Sequence, residues 1–192
     1  MKIAVYGATG AIGSVIVTEA SARGHQVTGI SRRGGDLTGD ALDPVFTADV
    51  AANHDVVVSA ISGRAGPRTT APASRTASPT WPTLSATDGC SSSAEPAALP
   101  STASGCSTHR SYPKSLKGAD SLALLRAAAD DVDWTYLSPA PVILPGQRTG
   151  SYKVELDTPA GDQISIEDYA VALVDEIENP AHARQRFAVG RD

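Results

Sequence analysis

Three glycines carry the first chemical signal. Gly7, Gly10 and Gly13 stand at G-x-x-G-x-x-G spacing inside Lys2–Gly13, KIAVYGATGAIG. Ile3-Ala4-Val5 before them is a short apolar run of the kind a buried parallel strand shows. Ile12, Val15, Ile16 and Ala20 after them recur at helical spacing. A strand, a glycine turn and a helix N-terminus together make a cradle for a pyrophosphate. The first glycine permits the turn, and the second lets the backbone approach the ligand. The third lets helix pack on strand, and the helix start adds free N–H groups and a positive dipole. Thr9, Ala11 and Ile12 lie within the same turn and are candidate contacts.

The second signal is Arg32-Arg33, directly after the apolar-polar run Gln26–Ser31, QVTGIS. The second strand of a dinucleotide fold ends beside the adenosine ribose. An acid there favours NAD, whereas an arginine accommodates the 2′-phosphate of NADP. No acid appears before Asp36, so the pattern favours NADP(H) over NAD(H). The alternative is two solvated arginines on a loop.

These residues need a frame of elements around them. The first helix is expected over Ala11–Arg23, ending at Gly24, with His25 in the turn. Gly34–Pro44 reads as loop or broken helix. Pro44–Val50, PVFTADV, reads as a short third strand, and Asp55–Ile61, DVVVSAI, as the fourth. The end of that fourth strand, Ser59-Ala60-Ile61, is expected beside the glycine turn. His54 before it reads as a surface residue. Leu116–Ala129 is an amphipathic helix with Leu122 and Leu125 facing inward. Asp133–Ser138 is a further strand, and Pro139 opens a loop at its carboxyl end. Pro141–Gly150 reads as a loop able to cross a cofactor, and Ser151–Leu156 as a small strand. Ser165 with Asp168 reads as a capping pair at the start of a helix reaching Glu178. A last strand is expected at Arg186–Val189. The whole suggests α/β architecture: one Rossmann-type, doubly wound parallel sheet in a single domain over residues 1–192.

Residues 64–113 break this pattern. Of these 50 residues, 34 are Ser, Thr, Pro or Ala, and seven of the chain's 13 prolines fall here. The composition is that of an irregular insert. A doubly wound domain, however, needs a helix and a fifth strand at this point, and a structureless loop of such length is unusual. Thr80–Ala98, written in GC-rich codons and shifted by one nucleotide, reads as a helix end followed by Leu-Leu-Val-Val. A reading-frame slip between about Arg64 and Lys114 therefore accounts for the segment. The expectation is an irregular, poorly packed stretch, or a Leu/Val-rich strand where Cys90–Ala94 stands, with the fourth strand otherwise left unpaired.

Bulk properties exclude several classes. The 192 residues are enough for one domain with a core. A net charge of −5 argues against nucleic acid as a partner. No apolar run approaches the roughly 18 residues of a membrane helix. Cys90 and Cys106 form no metal or redox motif, and the four histidines lack metal-ligand spacing. A cytoplasmic location and a small-molecule partner are expected. Asp130-Asp131 and Glu176/Glu178 read as solvated helix charges.

GATGAIG, the arginine after the second strand, Asp49-Val50, WTYLSPA and the C-terminal SIEDYAVALVDEIENPAH…RFAVG resemble the atypical short-chain dehydrogenase/reductases. Within them the chain is similar to the NAD(P)H-binding, flavin-reductase-like group, which includes NmrA-like and biliverdin-reductase-B-like proteins. The resemblance covers about residues 1–62 and 115–190. It implies a Rossmann domain binding NAD(P)H, with the glycine motif at Gly7, Gly10 and Gly13. It also implies a phosphate-reading arginine at Arg32 and an adenine-side pair at Asp49 and Val50. The implied activity is hydride transfer from the nicotinamide to a flavin, quinone or similar acceptor. A redox sensor that binds NADP(H) without turnover is the alternative. The Y-x-x-x-K pair of ordinary short-chain dehydrogenases is missing. Tyr112-Pro113-Lys114 has the wrong spacing, and Tyr136 and Tyr169 read as core residues, so no catalytic residue is assigned.

Overall fold

The computed structural model describes residues 1–61, 83–85, 122, 125–127 and 132–192. Its main sheet has eight strands. In chain order they are β1 (Lys2–Tyr6), β2 (Gln26–Ser31), β3 (Leu37–Thr38), β4 (Val56–Ser59), β5 (Thr83–Ser85), β6 (Trp134–Pro139), β8 (Lys153–Leu156) and β10 (Gln185–Gly190). The spatial order is β3-β2-β1-β4-β5-β6-β10-β8. Every pairing is parallel except that of β10 with the edge strand β8. All the parallel strands therefore end along one edge. The chain runs outward from β1 to β3 and returns to β4 on the other side of β1. The switch point between β1 and β4 is where an open α/β sheet binds its ligand.

Alternation along β1 and β4 supplies both faces of the core. Ile3, Val5, Val56 and Val58 pack against Ile12, Ile16 and Ala20 of helix α1 (Ala11–Ala22) and against Tyr169 and Leu173 of helix α3 (Ile166–Glu178). Ala4, Tyr6 and Val57 turn the other way, toward Val50 and Ala51 of helix α2 (Pro44–Asn53). Each fully buried Ile or Val contributes about 1.5–3 kcal/mol, so this two-sided burial holds the sheet flanked by helices. Leu122 and Leu125 are buried against Trp134 and Tyr136, the inward positions expected of them. Tyr136 and Tyr169 are fully buried, and the Tyr169 hydroxyl donates to the Leu137 carbonyl at 3.1 Å.

Several elements differ from the sequence expectation. Pro44–Val50 is not a strand but most of α2. The Asp43 carboxylate accepts from the Val45 and Phe46 N–H groups, and Pro44 sits in the first turn, where its missing N–H costs nothing. The third strand is instead the two-residue β3, inside the stretch read as loop. The place expected to lack a strand is filled by Thr83–Ser85, which pairs with both β4 and β6. These three residues contain no proline, so every N–H can enter the ladder. The fourth strand is thus paired on both sides. The frame-slip reading and the strand sought at Cys90–Ala94 lie outside the described residues, as does the rest of 64–113.

Val142–Leu144 is a strand, β7, paired with β9 (Gln163–Ser165) in a separate two-stranded sheet. The residues after it form a strap over α1 and α3. Gly146 donates its N–H to Glu167, and Arg148 reaches Glu19 at 2.6 and 2.7 Å. The Tyr152 hydroxyl donates to Asp175 at 2.5 Å. Glu176, read as solvated, is 5% exposed; its carboxylate accepts from the N–H groups of Ala181 and His182 and bonds the His182 ring. His54 is half-buried, with its ring bonded to the Val50 carbonyl and the Thr28 hydroxyl.

Candidate functional site

The turn after β1 is built for close approach. The N–H groups of Gly7 and Ala8 both donate to the Ile30 carbonyl, tying the turn to β2. Gly7 has φ +81°, and a Cβ there would lie 2.6 Å from the Ala60 carbonyl oxygen. Both constraints demand glycine. A Cβ on Gly13 would lie 2.1 Å from the Gly7 carbonyl oxygen, so α1 packs directly on the turn. Gly10 is exposed and serves as the N-cap, with no side chain bonded to the helix start and no acid in the first turn. Among the described residues, no side chain therefore bonds the first N–H groups of α1, and no acid in its first turn offsets the positive dipole end.

Thr9, Gly10 and Ala11 form the exposed lip of this turn, whereas Ile12 and Gly13 are buried beneath it. Ile12 offers a ligand only its backbone, because its side chain belongs to the core. Ser59, Ala60 and Ile61 end β4 next to the turn, and the Ala60 N–H donates to the Tyr6 carbonyl at 2.9 Å. Pro139 ends β6 on the same edge, opposite Val189 of β10. Arg32 and Arg33 follow β2 directly and are exposed. The parallel topology thus brings all of these to one edge.

Asp49 and Val50 are placed otherwise. Val50 is 2% exposed in the core beneath α2, and Asp49 bonds Asn53 one turn on. The residues that follow the third strand are Gly39, Asp40 and Ala41. Sequence reasoning passed over them, although Asp43-Pro44 is a helix-start signature that separates them from α2. Asp40 accepts from the Leu42 N–H at 3.1 Å. Tyr6, which ends β1, is buried edge-on against Phe46, and its hydroxyl has no hydrogen-bond partner among the described residues. Burial raises its pKa, and the Asp43 charge adds to the effect.

Two buried carboxylates lie on α1 and α3: Glu19, which nothing local in the sequence marks, and Asp168, whose sequence signal was only that of a helix cap. Glu19 on α1 is bonded by Arg148 and Arg23, and the Arg148 hydrogen bonds lead in pulling its pKa down. Asp168 on α3 is 0% exposed. Its own N–H is capped by Ser165, as expected, while its carboxylate accepts from the Thr149 N–H and hydroxyl and the Gly150 N–H, each at 2.7 Å. Burial alone would raise its pKa; those hydrogen bonds outweigh it and lower the value. Among the described residues no cluster of His, Cys, Asp and Glu could hold a metal, and no helix is long and apolar enough to cross a membrane.

The comparisons with known proteins agree with this geometry. The profile of a family described as NAD(P)H-binding matches residues 7–180. The uncharacterized protein YwnB of Bacillus subtilis (strain 168) is 32% identical over 213 aligned positions, covering 98% of each chain. A solved structure from Burkholderia pseudomallei, provisionally named an exported protein, is 30% identical with a TM-score of 0.69, covering 100% of both chains. A provisionally named NADH-flavin reductase of Streptococcus pneumoniae TIGR4 shares the fold at 24% identity and a TM-score of 0.70, again over 100% of both chains. With the cradle and the switch-point topology in place, the chain belongs to the family described as NAD(P)H-binding.

Proposed function

We propose that this protein is an NADPH-dependent reductase that passes hydride to a flavin, quinone or similar planar acceptor. The observation that carries the cofactor class is the glycine turn at the switch point, whose backbone leaves no room for a Cβ at Gly7 or Gly13. Bound NADPH supplies the hydride, and the chain's own residues bind and orient it. The α1 N-terminus takes the pyrophosphate, with Thr9, Gly10 and Ala11 against it. Arg32, supported by Arg33, takes the 2′-phosphate. The end of β3, Gly39-Asp40-Ala41, fits the adenine side better than Asp49-Val50, since it lies on the ligand edge. Ser59–Ile61 and Pro139 border the nicotinamide side.

The provisional name of the pneumococcal structure supports the flavin acceptor, and the low cysteine use supports a cytoplasmic setting. The test is to follow NADPH absorbance with a panel of flavins and quinones. Turnover with a planar acceptor is the expected result; tight NADPH binding with no turnover across the panel would leave the sensor reading in its place. One observation favours that second reading. Tyr136 and Tyr169 are core residues and the Tyr152 hydroxyl is held by Asp175, so none of them is placed to donate a proton.

A further inference from the structure

We propose that Asp36 is a positioning residue for recognition of the 2′-phosphate, closing the turn that presents Arg32 and Arg33. This inference rests on the assignment of Arg32 as the phosphate reader. Asp36 lies five residues beyond the end of β2, yet it clasps that strand at two points. Its N–H donates to the Gly29 carbonyl at 2.8 Å, and its carboxylate accepts from the Gly29 N–H at 2.7 Å. β3 starts pairing only at Ile30–Leu37, so Asp36 stands in for a strand neighbour at Gly29. Inside the clasp the chain folds back on itself. The Ser31 hydroxyl donates to the Gly34 carbonyl at 2.5 Å and accepts from the Arg33 N–H at 3.2 Å. Gly34 and Gly35 take φ of +84° and +95°, which side chains rarely adopt.

The clasp has an electrostatic consequence too. Arg32 and Arg33 are exposed and form no ion pair among the described residues. Asp36 is the nearest acid in sequence. Released, its carboxylate would sit on the same turn and compete with a phosphate for the arginines. Bonded to Gly29, it is held on the strand edge while both guanidinium groups stay available. The acid whose distance from β2 marked the site as NADP-like is therefore part of the device that reads the phosphate.

Titration of NADPH and NADH against Asp36→Ala, Asp36→Glu, Asp36→Asn and Arg32→Ala, each with its melting temperature, tests this. Losing one hydrogen bond to a charged or polar partner corresponds to about a three- to tenfold change. Asp36→Ala and Asp36→Glu are expected to weaken NADPH by about that factor and leave NADH unchanged. Asp36→Asn keeps an acceptor for the Gly29 N–H and should bind NADPH as tightly as the native chain or more so. NADPH affinity unchanged in both Asp36→Ala and Asp36→Glu would overturn the inference, as would equal loss of both cofactors in any Asp36 variant. In either case a selective NADPH loss in Arg32→Ala leaves the cofactor assignment standing. Unchanged NADPH affinity in Arg32→Ala removes that assignment instead.

Discussion

Gly13 rests on the carbonyl of Gly7 so closely that the 2.1 Å between that oxygen and a notional Cβ is well inside contact distance. Gly10 is different: its notional Cβ would lie 3.2 Å from the same oxygen, and its other side is open. The two glycines should therefore fail differently. Gly10→Val is expected to raise the NADPH dissociation constant by at least about a hundredfold, equivalent to about 2.7 kcal/mol, with a near-native melting temperature. Gly13→Ala should lower both affinity and melting temperature. Native affinity in Gly10→Val would remove the pyrophosphate assignment.

Arg32 should decide between the cofactors. A charge-assisted hydrogen bond contributes about 1.5–3 kcal/mol, so Arg32→Ala is expected to weaken NADPH by roughly ten- to a hundredfold. NADH, which lacks the phosphate, should bind as before. Competition titrations with both nucleotides measure this, and equal loss of both would show that the arginine does not read the phosphate.

Asp168 should be worth more to stability than to binding. Asp168→Ala leaves the Thr149 and Gly150 N–H groups without their acceptor. The expected loss is about 3 kcal/mol of unfolding free energy, read from denaturant curves. A loss below the error of extrapolation would mean that the strap is held elsewhere.

The depressed values of Asp168 and Glu19 set a direction for acid stability. Both carboxyls bind protons less readily when folded than unfolded. Their stabilisation is fully present above the unfolded values of about 4, and it is lost as pH falls below them through the folded values. Melting temperature should decline below about pH 4 in the native chain and decline less steeply in Glu19→Gln. Identical profiles would show that Glu19 does not contribute to the linkage.

Tyr6 offers a test with the opposite sign. Its buried hydroxyl has no partner among the described residues, so Tyr6→Phe removes an uncompensated desolvation cost. A stabilisation of up to about 1 kcal/mol is expected, seen as a higher melting temperature. Marked destabilisation would show that the hydroxyl is bonded in solution.

The sequence alone was sufficient for the glycine turn, β1, β2, α1 and the C-terminal helix. Their signals are local: glycines at fixed spacing, a Gly24 stop after α1, and Ser165 three residues before Asp168. The arginines were legible for the same reason, since they abut a strand end. Pro44–Val50 was not. A seven-residue run of mixed polarity fits either period, and only Asp43 capping the helix start decided for α2 over a strand. That one change moved the third strand to Leu37–Thr38. Thr83–Ser85 carries little strand signal by composition; pairing with β4 on one side and β6 on the other makes it a strand. Glu176 read as a solvated helix charge, Asp168 only as half of a capping pair, and nothing local marked Glu19. Their partners lie elsewhere in the fold, Arg148 being 129 residues from Glu19, and only packing α1, α3 and the strap together supplies the hydrogen bonds that let those carboxylates be buried.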